Sequence, residues 1–236
     1  MKTNEVEFIG NITSSSGVDT YNYKKELSFT KVLNLFIKRV MDIIGAIIGI
    51  ILMIPITLGI GIANFFVGDK GPIFYTHERI GKNGKHFKMY KYRSMCIDAD
   101  KKLEELLEQD EEARKEWEAN QKLQNDPRVT KVGNFLRKTS LDEVPQFINV
   151  LLGEMSLVGP RAVVDGEIER FGIQKDKILS VKPGITGRWA ANGRSNIDYE
   201  ERVAMEAAYV DDFSIFQDIK IIIKTIACVL KKEGAC

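Results

Sequence analysis

The chain has 236 residues, 44% of them hydrophobic, and a formal net charge of +1 from 34 Lys and Arg against 33 Asp and Glu. This near-neutral balance argues against a protein that binds nucleic acid through an overall positive field. The length suits one domain of common size plus an appendage, with a core that needs no disulfide or metal to hold it. The three cysteines lack C-x-x-C spacing, which argues against a zinc site and fits a reducing compartment.

The first 70 residues divide into a polar tail and an apolar segment. Residues 1–30 are polar, with Ser-Ser-Ser-Gly at 14–17, and predict a disordered tail to which we assign no chemistry. Residues 43–67 are almost uniformly apolar, a run long enough to cross about 30 Å of hydrocarbon as a helix. We therefore predict a membrane-associated helix over 31–68. It begins too far into the chain for a cleaved signal peptide.

The topology of this helix follows from its flanks and its proline. Basic residues flank both ends: Lys31, Lys38 and Arg39 before it, and Lys70, Arg79, Lys82, Lys85 and Lys88 after it. Basic flanks favour the cytoplasmic side, so the two flanks conflict if the helix crosses the membrane. Pro55 removes one backbone hydrogen bond and can bend the helix. We therefore prefer a re-entrant helix that enters and leaves by one leaflet over a kinked spanning helix.

A β-hairpin is predicted next. Strand-like runs at 72–75 and 87–95 surround an Asn83-Gly84 pair that suits a tight turn. On the second strand, the period of two places Lys91 and Arg93 on one face, after two apolar side chains. Two cations are thus expected side by side on the hairpin.

The remainder of the chain predicts mostly helices. A charged helix is expected from Asp98 to about Leu123, a short helix over 134–138, and another from Leu141 to Leu152 that Gly153 ends. The last helix, 213–232, suits a membrane surface; a dimer-forming or core-packing helix is the alternative. The expected fold class is α+β and mostly helical, with a re-entrant membrane helix, a small β-hairpin and a domain over 69–236 bearing amphipathic interface helices.

Two adjacent carboxylates, Asp142 and Glu143, form the clearest candidate site. They stand five residues after Arg137 at the expected start of a helix, and carboxylates beside cations are typical of phosphate chemistry. The alternative is purely structural. Ser140 and Glu143 fit the S-x-x-E capping box, in which the two side chains satisfy backbone N–H groups.

Loops rich in glycine follow this pair. They are Gly159-Pro160-Arg161, the segment 183–187 and Asn192-Gly193-Arg194. Such loops allow backbone N–H groups to approach an anion, although most glycine clusters are ordinary turns. Both interpretations stay open at this stage.

In their order along the chain, these pieces resemble the bacterial sugar transferases, monotopic polyprenyl-phosphate phosphoglycosyl transferases that begin surface polysaccharide assembly. The matching stretches are 38–67, 80–85, 90–95, 135–146, 153–161, 182–187 and 192–194. Each stretch alone is a weak signal. Together and in order, they cover some two hundred residues and are highly specific.

The resemblance implies a reaction and roles for individual residues. Members transfer a sugar-1-phosphate from a UDP-sugar to undecaprenyl phosphate and release UMP, usually with Mg²⁺. By resemblance, Asp142 is the nucleophile that forms an acyl phosphate, Glu143 assists metal binding or the second transfer, and Lys91 is the strand lysine. A helix N-terminus would favour an ionised Asp142.

Cations are needed where a carboxylate attacks a diphosphate, because the carboxylate and the two phosphate groups are all negative and repel one another. The candidates for phosphate and substrate binding are Arg93, Arg137, Arg161 and Arg194, with Lys91 and Mg²⁺. The chain departs from the family pattern at Ala162 and Ala190, where proline and glutamine are common. Without the proline, the rigidity of the Arg161 loop is an open question. Without the glutamine, so is a polar contact with the substrate at position 190.

The resemblance also sets expectations for substrate and partners. The insertion over 98–127 is similar to members that transfer a hexose phosphate, with galactose preferred over glucose. The expected location is the bacterial inner membrane with the catalytic domain on the cytoplasmic face, at the first membrane step of exopolysaccharide, capsule or O-antigen synthesis. Membrane lipid, downstream glycosyltransferases and a homodimer are the expected partners, with no nucleic acid. The alternative function is a membrane assembly or regulatory protein that has lost its chemistry.

Overall fold

The computed structural model describes residues 29–120, 123–193 and 197–231. The predicted polar tail lies almost wholly outside these residues. The expected mostly helical α+β fold is confirmed. Its elements are α1 Phe29–Phe66, β1 Phe74–Ile80, β2 His86–Tyr92, α2 Ala99–Gln109, α3 Glu111–Asn120, α4 Lys131–Thr139, α5 Gln146–Leu152, β3 Ser156–Val158, α6 Asp165–Ile168, α7 Lys175–Leu179, β4 Gly184–Thr186, α8 Tyr199–Asp211 and α9 Ile215–Lys231.

The apolar segment forms α1, one helix of 38 residues that continues through Pro55. By length and composition it can cross a membrane. Many of its large apolar side chains are exposed, among them Ile48, Ile51, Leu58 and Phe65. Water would not favour so large an apolar surface, so α1 is suited to contact with lipid.

Both halves of α1 contact the rest of the protein. In the first half, the Nζ atom of Lys38 lies 2.6 Å from Asp218 Oδ2 of α9. In the second half, the hydroxyl of Thr57 lies 2.6 Å from the hydroxyl of Tyr92 in β2. The helix therefore runs along the domain instead of leaving it at one end.

Two glycines allow this close packing. A Cβ on Gly45 would lie 2.6 Å from the side chain of Leu157, and a Cβ on Gly49 would lie 2.3 Å from the ring of Phe147. Such distances are far below van der Waals contact, so larger residues at these positions would force Leu157 and Phe147 to move.

Two predicted helices are each interrupted. The charged helix expected over 98–123 is two helices, because the carboxylate of Asp110 accepts hydrogen bonds from the backbone N–H groups of Glu112 and Ala113 and starts α3 anew. The helix expected over 141–152 consists of a 3₁₀ turn, Leu141–Glu143, followed by α5 after Pro145. The prediction of continuous helices was wrong in both places.

The predicted hairpin is present. Strands β1 and β2 pair in antiparallel register, with Tyr75 opposite Lys91 and His77 opposite Met89. At the turn, Asn83 and Gly84 both have positive φ, 57° and 75°, as the Asn-Gly pair predicts.

The glycine-rich motifs serve close backbone packing. Strands β3 and β4 pair in parallel, and a Cβ on Gly184 would lie 2.1 Å from the backbone nitrogen of Gly159. A Cβ on Gly187 would lie 2.3 Å from the carbonyl oxygen of Gly159. The segment at Gly159 and the segment 184–187 can approach this closely only because Gly184 and Gly187 lack side chains.

The last helix, α9, has two different faces. Asp218 and Ile221 are buried against the domain, whereas Phe216 and Ile223 remain 67% and 63% exposed. The helix thus packs on the core and also presents an apolar surface. The packing of Asp218 and Ile221 agrees with the core-packing alternative, whereas contact of the exposed face with a membrane or with a second copy stays a prediction.

Candidate active site

The carboxylate pair lies on a sharp turn between two helices. Helix α4 ends at Ser140, whose φ of 55° reverses the chain into the 3₁₀ turn that carries Asp142 and Glu143. The Ser140 side chain makes no capping hydrogen bond at this turn. The Ser140 half of the predicted capping box is therefore not formed at this turn.

Lys91 meets the pair from strand β2. Its Nζ atom lies 3.0 Å from Oε1 of Glu143, with the two side chains 21% and 36% exposed. The buried amide of Asn149 holds the strand against α5, because it donates to the carbonyl of Lys88 and accepts from the N–H of Tyr90. Lys91 and Glu143 are brought together by this clamp.

Asn149 was missed by sequence reasoning. Its signal is a polar amide within the apolar run 147–152, where burial requires a hydrogen-bond partner. An amide can satisfy the donor and the acceptor of a neighbouring strand at once, which apolar residues cannot.

Asp142 is half-buried between charges of both signs. Burial raises the pKa of its carboxyl above the ordinary value, and the adjacent Glu143 carboxylate raises it further, while Lys91 and Arg137 oppose the rise. We expected a helix N-terminus to keep Asp142 ionised. A turn of three residues supplies little of that field, and loss of solvent outweighs it.

Arg137 is held next to this turn by α4. Its Nε donates to the hydroxyl of Ser94 at 3.0 Å, which leaves the remainder of the guanidinium for other contacts. The cation lies close enough to Asp142 to favour the ionised carboxylate. The structure thus brings together Lys91, Arg137, Asp142 and Glu143.

Arg93 lies elsewhere. Its guanidinium donates to the carbonyls of Pro72 and Met95 and to the carboxylate of Asp69, at 2.6, 2.7 and 2.8 Å. This bonding holds the pKa of Asp69 below its usual value. Arg93 thereby ties the connection after α1 to the hairpin, and the structure does not bring it to the carboxylate pair.

The other predicted arginines follow β3 and β4. Arg161 lies in the loop after β3, and its guanidinium carbon is 5.5 Å from the centre of the Trp189 ring. Arg194 lies outside the residues that the structure describes, so its placement stays a prediction.

Arg79 is a further cation that sequence reasoning missed. Burial lowers its pKa to about 10, and Arg161 lowers it too, while the carboxylates of Glu167 and Glu143 oppose the change. Arg79 donates to the carbonyl of Ala162 in the Arg161 loop at 3.4 Å, and it is close enough to Glu143 for that carboxylate to affect its pKa. Its signal is the period of two on β1, which places it on the same face as Tyr75, the partner of Lys91.

The carboxylate pair has the oxygen donors that a magnesium site needs. Within the described residues, no group of three or more His, Cys, Asp or Glu side chains could hold a metal ion. Mg²⁺ commonly binds one or two carboxylates, with substrate phosphates and water as its other ligands. Asp142 and Glu143 fit that pattern, and magnesium stays a prediction.

A carboxylate pair among cations, on a domain that carries a long apolar helix, defines a site suited to phosphate chemistry next to a membrane. The chain matches the sequence profile of the bacterial sugar transferases over residues 33–232, and it belongs to that family.

Several curated relatives are similar to the chain. A UDP-galactose-lipid carrier transferase of Erwinia amylovora is 47% identical over 201 residues, covering 85% of this chain and 42% of that protein. A UDP-glucose:undecaprenyl-phosphate glucose-1-phosphate transferase of Escherichia coli is 41% identical over 202 residues, 82% of this chain and 40% of that protein. An exopolysaccharide production protein of Rhizobium meliloti is 44% identical over 198 residues, 84% of this chain and 87% of that protein. The chain thus spans less than half the length of the first two.

Proposed function

We propose that the chain transfers a hexose-1-phosphate, preferably galactose-1-phosphate, from a UDP-sugar to undecaprenyl phosphate. The observation that carries this proposal is the half-buried Asp142 beside Glu143, with Lys91 and Arg137 next to them. The names of the relatives support the two substrates. The reaction would form the first lipid-linked intermediate of an exopolysaccharide, capsule or O-antigen.

The first step forms a covalent intermediate. An oxygen of the Asp142 carboxylate attacks the phosphorus that bears the sugar, the bond from that phosphorus to UMP breaks, and UMP leaves with the bonding electron pair. A half-buried carboxylate is weakly solvated and therefore a better nucleophile than one in water.

The second step releases the product. A phosphate oxygen of undecaprenyl phosphate attacks the same phosphorus, and the bond to Asp142 breaks. The carboxylate is thereby regenerated, and the sugar leaves as undecaprenyl-diphosphate-sugar.

Both steps bring negative groups together, so nearby cations carry much of the catalysis. Lys91 and Arg137 lie beside the carboxylates, and Arg79 contacts the Arg161 loop. Preorganised cations stabilise the charge on the equatorial oxygens of a transferring phosphoryl group. Asp142 and Glu143 would hold Mg²⁺, which supplies further positive charge to the substrate phosphates when bound.

The packing of α1 supports the re-entrant topology. Contacts at Lys38 and at Thr57 lie on one domain, as is required when both ends of the helix return to one leaflet. We propose that this face is cytoplasmic and that the site takes undecaprenyl phosphate directly from the membrane.

The test uses the Asp142→Asn variant and a donor-only incubation. Wild-type protein given UDP-galactose without lipid acceptor should gain the mass of one phosphohexose and release one equivalent of UMP. Asp142→Asn should do neither, since an amide is a poor nucleophile, whereas Asp165→Asn, at an exposed position, should behave as wild type. Normal turnover by Asp142→Asn would exclude the covalent mechanism. Absence of UMP release from every UDP-sugar tested would favour the assembly or regulatory protein.

A further inference from the structure

The buried polar atoms without a hydrogen-bond partner in the described residues lie in one region. They are Nε of Arg79, Nε1 of Trp189, Nε and Nη2 of Arg202, and Oε2 of Glu206. Buried polar groups in proteins are nearly always paired, so a group of unpaired ones calls for an explanation. The region is centred on the loop that carries Arg161.

Guanidinium groups and aromatic rings alternate through this region. The guanidinium carbons of Arg161 and Arg202 lie 5.5 and 5.0 Å from the centre of the Trp189 ring. Arg202 also lies 5.2 Å from the Tyr199 ring, on which Arg170 lies at 3.8 Å. Cations lying over ring faces are held by the ring quadrupole. The Arg161 guanidinium is therefore one end of a stack that passes through Tyr199 and Arg202 of α8 and ends at Arg170.

Glu206 holds the backbone of the same residue. Its side chain is 1% exposed, and its Oε1 accepts the backbone N–H of Arg161 at 3.1 Å. Burial raises the pKa of Glu206 to about 7, against the Arg161 N–H and the cations of Arg202 and Arg161. Burying a carboxyl this deeply is costly unless it is hydrogen-bonded, and Oε1 has that bond from the Arg161 N–H.

The loop itself is fixed by further backbone contacts. The N–H of Gly184 donates to the carbonyl of Pro160 at 2.8 Å, and Arg79 donates to the carbonyl of Ala162 at 3.4 Å. Ala162, which replaces the proline common in the family, is 5% exposed. Hydrogen bonds from Gly184 and Arg79 thus hold the loop, and they can keep it rigid although Ala162 stands where the family commonly has proline.

We propose that Glu206 is a positioning residue for Arg161, acting together with Trp189 and Arg202. By accepting the backbone N–H of Arg161, it would hold this residue so that the guanidinium can bind the diphosphate of the nucleotide sugar. This inference rests on the proposed transferase function. Glu206 and Trp189 contact Arg161 at two separate points, its backbone N–H and its guanidinium.

Two substitutions at Glu206 separate positioning from packing. Glu206→Gln keeps an oxygen that can accept the Arg161 N–H and should retain near-normal kinetics. Glu206→Leu removes the acceptor and should raise KM for UDP-galactose about tenfold, in line with the loss of one hydrogen bond to a charged group, with kcat within about threefold.

Val203→Ala is the matched control, since Val203 is buried in the apolar core on the same helix. It should lower Tm without changing KM. Trp189→Phe should likewise retain most of the affinity for UDP-galactose, and Trp189→Leu should not, because only the former keeps an aromatic face for Arg161.

A double-mutant cycle with Arg161→Met completes the test. If Glu206 acts through Arg161, then Glu206→Leu adds little to Arg161→Met. The positioning role is overturned if Glu206→Leu lowers Tm but leaves KM unchanged, as Val203→Ala should, or if the two effects add fully.

Calorimetric binding of UDP to the same variants distinguishes this inference from the proposed function. Wild-type protein that binds UDP but releases no UMP would count against the transferase, while weaker UDP binding by Glu206→Leu would still support positioning. Unchanged UDP binding by Glu206→Leu overturns positioning whatever the turnover. Wild-type protein that neither binds UDP nor releases UMP overturns both.

Discussion

The ammonium of Lys91 and the carboxylate of Glu143 form an ion pair at 3.0 Å that joins strand β2 to the turn before α5. The pair holds Glu143 toward the hairpin and puts a cation next to the neighbouring Asp142. The position of the Lys91 ammonium on the hairpin therefore affects the ionisation of the Asp142 carboxylate on the turn.

Replacing Lys91 by methionine should therefore lower the rate of UMP release about 100-fold. The expected magnitude follows from the loss of one preorganised charge next to a phosphoryl group. Lys88→Met is the control, since that lysine is exposed on the same strand. Equal rates for the two variants would show that Lys91 has no part in the chemistry.

The pH dependence of adduct formation should report on Asp142. Burial and the Glu143 carboxylate raise the pKa of Asp142, so adduct formation should fall as the pH falls through that raised value. In Glu143→Gln the negative neighbour is gone, and the midpoint should move to lower pH. Rapid-quench measurement of the first turnover gives the midpoint, and an upward move in Glu143→Gln would contradict the assignment.

Removal of divalent cations should abolish turnover, because Asp142 and Glu143 match the ligand preference of Mg²⁺. Dialysis against EDTA should lower UMP release by at least about 100-fold, as expected when a major source of positive charge is lost. Added Mg²⁺ should restore it. Full activity in EDTA would mean that the protein's own cations suffice.

Arg93 should contribute to stability and not to catalysis. Its side chain is 8% exposed and its partner Asp69 is 18% exposed, and breaking such a pair leaves a buried charge unpaired. Arg93→Met should lower the free energy of unfolding by about 3 kcal/mol. The folded fraction should keep the KM and kcat of wild type, and a specific rise in KM for the UDP-sugar would instead place Arg93 in the substrate site.

The close approach of Gly184 to Gly159 predicts a large cost for one added methyl group. In Gly184→Ala, the new Cβ would meet backbone nitrogen at 2.1 Å, which a side-chain rotation cannot relieve. The expected destabilisation is about 3 kcal/mol, measured by chemical denaturation in detergent. A Cβ on Gly166 meets nothing within 4 Å, so Gly166→Ala should be close to neutral.

The sequence by itself determined the class of fold, the apolar helix, the hairpin turn and the carboxylate pair. Each of these depends on local features: hydrophobic length for α1, positive φ at Asn83 and Gly84, and adjacent acidic residues at 142 and 143. The order of the motifs added the family, which the matching profile over 33–232 confirms.

Only the tertiary structure decided which cations face the carboxylates. Lys91 and Arg93 share a strand face by period, yet one pairs with Glu143 and the other with Asp69. Arg79, which no motif marked, contacts the Arg161 loop because the end of β1 pairs with that loop at Ile80 and Val163. The charges and the alternation of side chains along a strand indicate which cations could face a carboxylate. Which ion pairs form depends on contacts between segments far apart in the chain, and local sequence patterns do not encode those contacts.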